Sequence, residues 1–388
     1  MAELQRLTVE GFACAAWTIL AEPGDEFAGL LRLTLGADQA LQLLISRAKP
    51  VHLVGRIRDT PYADLAERRF GNLDATAKDA LERWLPRLSK SAVENALKVA
   101  SFANARLIHS EDESWPSQLA DLGLATPAAL WVRGSLESMT PGVAVVGSRA
   151  ATPYGHWVTA ELVGALAQQG LAVVSGGAFG IDTFAHQTAN RLNQPNFAVM
   201  AGGVDSLYPS GNSELLHEVI ERGAVIAELP PGSRPTRWRF LQRNRLIAAL
   251  ARATVVVEAG YRSGAINTAN HALALNRPLG AVPGPINQVS SAGCHRLIRD
   301  GSATLVSSDA DLCELAGVSP ASDTEYESLG SLELRVLDAL SSRAKNFEAL
   351  AKTAGVTAIE LSIALGNLEL SGRAERDTGD NWRRSLNL

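Results

Sequence analysis

Between Val143 and Val282 six short apolar runs alternate with amphipathic stretches of helical period. The runs are Val143–Val146, Leu171–Val174, Phe197–Met200, Ala224–Ala227, Thr254–Val257 and Leu279–Val282. Between them lie Trp157–Gln169, Ile181–Leu192, Ser213–Arg222, Phe240–Ala251 and Ala265–Leu275. Nothing else in the chain limits its fold as much. A strand that is apolar at every position has no face to offer water, so both faces must be covered. The intervening helices supply that cover, and right-handed crossovers then wind the sheet in two directions. The pattern predicts an α/β fold with an extended Rossmann-like, doubly wound, mostly parallel sheet.

The flanks read differently. Residues 1–105 carry helical periodicity, as in Ala75–Trp84 and Val93–Ala103, and form a helical N-terminal region. The turns of Ser114–Arg133 lead into Ala129–Val132, an edge or lead-in strand of the central domain, which is assigned to 106–316. A polar, acidic linker covers 317–330. Residues 331–388 then show three short helices (Leu332–Leu340, Phe347–Ala354 and Ile359–Leu370) and a hairpin through Arg376 and Trp382, the pattern of a winged-helix domain. Cys14, Cys294 and Cys313 are widely spaced, which argues against a disulfide framework or structural zinc and for a cytoplasmic setting. The apolar run Gly11–Ala21 is too short to span a bilayer, so no membrane is expected.

In a doubly wound sheet, ligands bind beyond the carboxyl ends of the strands. Gly147, Ser148 and Arg149 follow the first strand there. Ser175, Gly176, Gly177, Phe179 and Gly180 follow the second, and Arg262, Ser263 and Gly264 the fifth. Glycines let backbone N–H groups approach a phosphate, and helix N-termini add partial positive charge. Five arginines fall between Arg234 and Arg245, including Arg239, Arg243 and Arg245, with no acid among them. Guanidinium forks suit phosphate oxygens, and the interleaved Trp238 and Phe240 serve either core packing or base stacking. Asp182, Glu228 and Glu258 lie at strand or loop ends, where they cap, satisfy loop N–H groups or pair with arginine. His186 and His271, both mid-helix, read as packed groups. No Gly is followed by Lys, GxGxxG is missing after the first strand, and HExxH is absent. A P-loop ATPase is thereby excluded; a dinucleotide oxidoreductase is disfavoured, and no cofactor or metal site is expected. A nucleotide-processing enzyme of phosphoribohydrolase type, or a nucleotide sensor, remains an alternative use of such a pocket. The first of these lacks its hallmark Pro-Gly-Gly-x-Gly-Thr loop.

Taken together, these motifs resemble the DNA-processing protein A (DprA/Smf) family. The resemblance is carried by Val143–Arg149, Val174–Asp182 with His186, Leu207–Pro209 with Asn212, Arg243-Asn244-Arg245 through Leu250, Val255–Ala259, Arg262–Gly264, Ala281–Pro285 and Leu297–Gly301. It covers about residues 105–305 in order. The resemblance implies a non-enzymatic, homodimeric binder of single-stranded DNA that protects incoming DNA in natural transformation and loads the recombinase RecA. By motif, Arg149 would hold phosphate beside Gly147 and Ser148, and Ser175, Gly176 and Gly177 would supply backbone donors. Arg243 and Arg245 would line the groove, and Ser263 and Gly264 would close it. Gly177 and Phe179 depart from the family pattern, as does Ser213, where many members have a basic residue.

The net charge of −5 for 388 residues at first argues against a nucleic-acid partner. Its distribution reverses the argument. Residues 141–308 hold thirteen arginines, no lysine and nine acids, a net of +4, so the flanks carry −9.

Overall fold

The computed structural model describes residues 7–139, 142–319 and 330–385, apart from 342, 378 and 380. Most of the segment read as a linker lies outside the described residues. The chain divides into two compact units, 1–320 and 321–388.

The first unit opens with seven helices: α1 (Val9–Leu20), α2 (Glu26–Leu35), α3 (Ala37–Ile45), α4 (Pro50–Arg58), α5 (Ala63–Phe70), α6 (Leu73–Trp84) and α7 (Lys90–Phe102). Trp17 meets Trp84 edge to face at 5.3 Å, and the Trp17 indole N–H donates to the Ala37 carbonyl at 3.0 Å. These helices share one apolar core with Trp131, Met200 and Val225 of the sheet. A hydrogen bond from the Trp131 indole to the Thr18 hydroxyl (3.3 Å) fastens the two together.

The sheet follows. Its strands are β1 (Ala105–Ile108), β2 (Leu130–Gly134), β3 (Gly142–Val146), β4 (Val173–Ser175), β5 (Asn196–Met200), β6 (Ala224–Ala227), β7 (Ala251–Val256), β8 (Leu279–Ala281) and β9 (Thr304–Leu305). Their order is β1-β2-β6-β5-β4-β3-β7-β8-β9. From β6 to β9 every pairing is parallel, while β1 and β2 extend the β6 edge antiparallel. The helices between strands are α8 (Pro153–Gln168), α9 (Ile181–Arg191), α10 (Ser213–Arg222), α11 (Arg237–Leu250), α12 (Gly264–Ala274) and α13 (Ala292–Arg299), and α14 (Asp309–Leu315) follows β9. Side chains of β3 alternate between two cores. Val143 and Val145 pack with α8, α9 and α14, while Ala144 and Val146 pack with α11, α12 and α13. That is why the strand is apolar throughout. Winding proceeds from β3 through β4, β5 and β6 on one side, then restarts at β7 on the other. The carboxyl ends of β3 and β7 therefore frame a topological switch point.

In the second unit, α15 (Ser331–Ala339), α16 (Phe347–Ala354) and α17 (Ala358–Leu370) precede an antiparallel hairpin of β10 (Ala374–Arg376) and β11 (Trp382–Arg384). Val336, Leu350, Leu361, Leu365 and Trp382 form its core. Thr357 and Glu360 close a capping box at the start of α17.

Candidate functional site

Two glycines seat the loops of the switch point on one another. A Cβ at Gly147 would lie 2.5 Å from Cγ1 of Ile181, the first residue of α9. Gly180 has φ +80°, and a Cβ there would collide with the Ser148 carbonyl. That carbonyl accepts from the Ile181 N–H at 3.1 Å. The chain after β3 is thus pressed against the start of α9 and turns outward, leaving Arg149 exposed.

Below this crossing runs a buried arginine. Arg243, only 6% exposed, donates from Nη1 to the carbonyls of Gly176 (2.7 Å) and Val199, and from Nε to Asn244 Oδ1 at 3.1 Å. Burial lowers its pKa from 12.5 to about 10, opposed by the nearby Asp182 carboxylate, so it stays charged at neutral pH. Asp182 is pushed upward by its own burial; it accepts from the N–H groups of Gly176 (3.1 Å) and Ala178 (3.3 Å). The expected donor role of the second loop is corrected in part. The Gly176 N–H is spent on Asp182, and the Ser175 hydroxyl donates to the Val145 carbonyl at 2.6 Å. Gly177, at φ +66°, has its carbonyl held by Asn212 at 2.9 Å. This loop is built around Arg243, with Phe179 half exposed at its tip.

A cleft of about 1060 Å³ opens above, lined among others by Ser148, Arg149, Arg237, Phe240, Arg262 and Gly264. Arg149, Arg237 and Arg262 are exposed around it. The Arg149 guanidinium lies 4.9 Å from the centre of the Phe240 ring, and Arg243 lies 5.7 Å from it, a cation–π arrangement. Tyr208 flanks Phe240 at 5.8 Å. On the β7 side, the Ser263 hydroxyl caps α12 by accepting from the Ala265 N–H (3.3 Å). Gly264 has open space where a Cβ would stand. Asn244 ties α11 to α12, donating to the Gly264 carbonyl (3.3 Å) and to Asn267 (3.1 Å).

The arginine cluster does not act as one patch, because α11 turns its members to different sides. Arg237, Phe240, Leu241 and Asn244, spaced at i, i+3, i+4 and i+7, face the switch-point cleft. Trp238, Gln242 and Arg245 line a second cleft of about 830 Å³ against the N-terminal helices. Arg245 is buried and paired with both oxygens of Glu228 at 2.6 and 2.7 Å. Arg239 forks onto Glu22 at 2.9 and 3.1 Å. The structure does not bring Arg239 and Arg245, both expected in the groove, to the switch-point cleft, and carboxylates engage both guanidinium groups. Arg237, missing from the sequence-derived site, lines this cleft; the helical period within 237–244 is the signal that separates it from its neighbours. Glu258 accepts from the Thr152 N–H (2.9 Å) and hydroxyl (2.5 Å) at the start of α8. His186 binds Asn196 at 2.6 Å within the core.

Fold and cleft together define a class: a doubly wound α/β protein whose switch point presents arginines on glycine-rich loops, followed by a winged-helix unit. Residues 106–317 match the family model of DNA recombination-mediator protein A, and residues 320–380 match that of the DprA winged helix domain. A DprA-named protein of Mycobacterium tuberculosis is 43% identical over 298 residues, covering 72% of this chain and 76% of its own. The X-ray structure of DNA processing protein A from Streptococcus pneumoniae superposes with a TM-score of 0.62 at 27% identity, covering 80% of this chain and 98% of that one. DNA processing protein A of Helicobacter pylori, whose structure is described for its single-stranded DNA binding mode, gives 0.50 at 28% identity, covering 55% and 96%. The chain belongs to the DNA recombination-mediator protein A family, also named DprA or Smf. Among the described residues no single helix is long and apolar enough to cross a membrane.

Proposed function

We propose that this protein binds single-stranded DNA by its backbone in the switch-point cleft, protects incoming DNA during natural transformation, and loads RecA recombinase for homologous recombination. It does so as a cytoplasmic homodimer and without catalysing a reaction. One observation carries the reading: Arg149, Arg237 and Arg262 stand exposed around a cleft whose only lining carboxylate among the described residues, Asp182, is turned onto loop N–H groups. Such a wall attracts phosphate and leaves no free acid for general acid–base work. Backbone donors at Gly147–Ser148 and Ser263–Gly264 would complete the grip. Phe240 and Tyr208 favour a single strand, because their faces can stack only on bases that are not already paired. The reading also agrees with what is described for the Helicobacter pylori relative.

The test is fluorescence anisotropy of a labelled oligothymidine against a duplex of equal length. The single strand is expected to bind more tightly, and the Arg149→Ala/Arg262→Ala double variant to lose at least tenfold (about 1.4 kcal/mol). Equal affinity for duplex, or an unaffected double variant, would sink the proposal. For RecA loading, filament growth on a strand coated with single-strand-binding protein is expected to accelerate when the wild-type chain is added.

A further inference from the structure

The second cleft, on the opposite side of α11, has a chemistry that a backbone grip does not use. It measures about 830 Å³ and lies between the Leu20–Glu26 loop with Trp84 on one side and Gln242 and His271 on the other. Its charged walls are self-satisfied. Glu22 is held by Arg87 at 3.1 Å, Asp25 by Arg83 at 3.5 Å, and Arg245 by Glu228 at 2.6 Å. A phosphate entering here would meet no uncommitted cation and would lie against carboxylates. An aliphatic ligand would be equally misplaced, because the Gln242 amide in the wall is left over. Nε and Nη1 of Arg245 have no hydrogen-bond partner among the described residues, but both are buried away from the cleft and offer it nothing. The Gln242 amide lines the cleft and has no hydrogen-bond partner among the described residues. At the mouth stands Trp238, 58% exposed, a large indole with no aromatic ring among the described residues stacked on it.

An uncharged planar ligand with donors and acceptors along its edge satisfies all of these features, and an unpaired nucleobase is that ligand. Its source follows from the chain. Trp238 is the next residue after Arg237, whose side chain lines the first cleft, so the two Cα atoms are about 3.8 Å apart. We infer that the second cleft accepts a base of the same strand whose phosphates lie in the first cleft, stacked on Trp238 with its edge toward the Gln242 amide. The inference rests on the reading of the first cleft as a single-strand site, and α11 divides the labour: one face for backbone, the other for base.

The experiment compares the full chain on two strands of equal length, oligothymidine and an abasic deoxyribose-phosphate oligomer that keeps the charge and lacks the bases. Trp238→Ala should weaken oligothymidine binding roughly tenfold, within the range of a single base–aromatic stack, and leave the abasic oligomer unchanged. Trp238→Phe should restore most of the loss. A strand carrying one 2-aminopurine should be quenched by wild type and not by Trp238→Ala. Equal losses on both strands, or no loss on either, would overturn the inference. So would equal quenching of free 2-aminopurine deoxynucleoside at the same concentration, because the pocket would then serve a small nucleoside. Arg149→Ala in parallel separates the two readings. It should weaken both strands, and if it weakens neither, the backbone site has failed independently of the base pocket.

Discussion

Arg243→Ala distinguishes a residue that touches DNA from one that holds the site in shape. The side chain is buried, donates to the carbonyls of Gly176 and Val199, and faces Asp182, whose ionised form it supports. Truncation strands two buried acceptors, at about 1–3 kcal/mol each. It also leaves a buried carboxylate without its compensating charge, for a combined loss of about 3–5 kcal/mol. Against a stability of about 5–15 kcal/mol this is a large fraction, and the melting temperature should fall by on the order of 5–10 °C. The assay pairs a circular-dichroism melt with anisotropy on oligothymidine. Arg243→Ala should lose both stability and affinity, because the Gly176–Gly180 loop that seats Arg149 is released. Arg149→Ala, truncated at an exposed position, should lose affinity and melt like wild type. If Arg243→Ala melts like wild type and still loses DNA, the arginine contacts phosphate itself and the reasoning from burial is wrong.

Three further outcomes follow from the same geometry. Gly180→Ala forces a side chain into φ +80°, ψ −128°, costing about 1–3 kcal/mol, and onto the Ser148 carbonyl; affinity for oligothymidine should drop although every arginine remains, and unchanged binding would refute the crossing of the two loops. His186 donates to Asn196 and has a buried Nε2 with no acceptor, so burial lowers its pKa to about 4. Its folded pKa is depressed, so its stability contribution is present above pH 6.5 and is lost as pH falls through 4. The loss is about 3 kcal/mol, and melts from pH 7 to 4 should be flatter for His186→Asn than for wild type. Arg239→Ala breaks the partly exposed fork onto Glu22; stability should fall by no more than about 1 kcal/mol and oligothymidine affinity should stay within about twofold, whereas a tenfold loss would return Arg239 to the groove.

The strand–helix alternation was readable because each central strand is apolar on both faces, and the observed elements fall where the runs lie. Ends moved for local reasons. α11 begins at Arg237, three residues before the apolar pattern at Phe240, because Thr236 caps it through the Arg239 N–H. β7 begins at Ala251, paired to Gly142 before the continuous apolar run starts. The glycine loops of the site were legible from their place after strands. The division of the arginines was not, since Arg239 finds its partner at Glu22 and Arg277 at Asp121, acids that lie outside the basic segment. The excess of +4 in that segment is therefore partly cancelled by the acidic flank folded against it. Among the arginines without an ion pair, Arg149, Arg237 and Arg262 stand together at one cleft.

The salt dependence of single-strand affinity tests this concentration of charge most directly. Each phosphate neutralised contributes about 0.7 to the slope of log affinity against log salt on a single strand. Wild type should show a steep negative slope, and Arg149→Ala should be shallower by about 0.7 with weaker binding at every salt concentration. An Arg149→Ala slope equal to that of wild type would mean that the switch-point cleft does not hold the backbone.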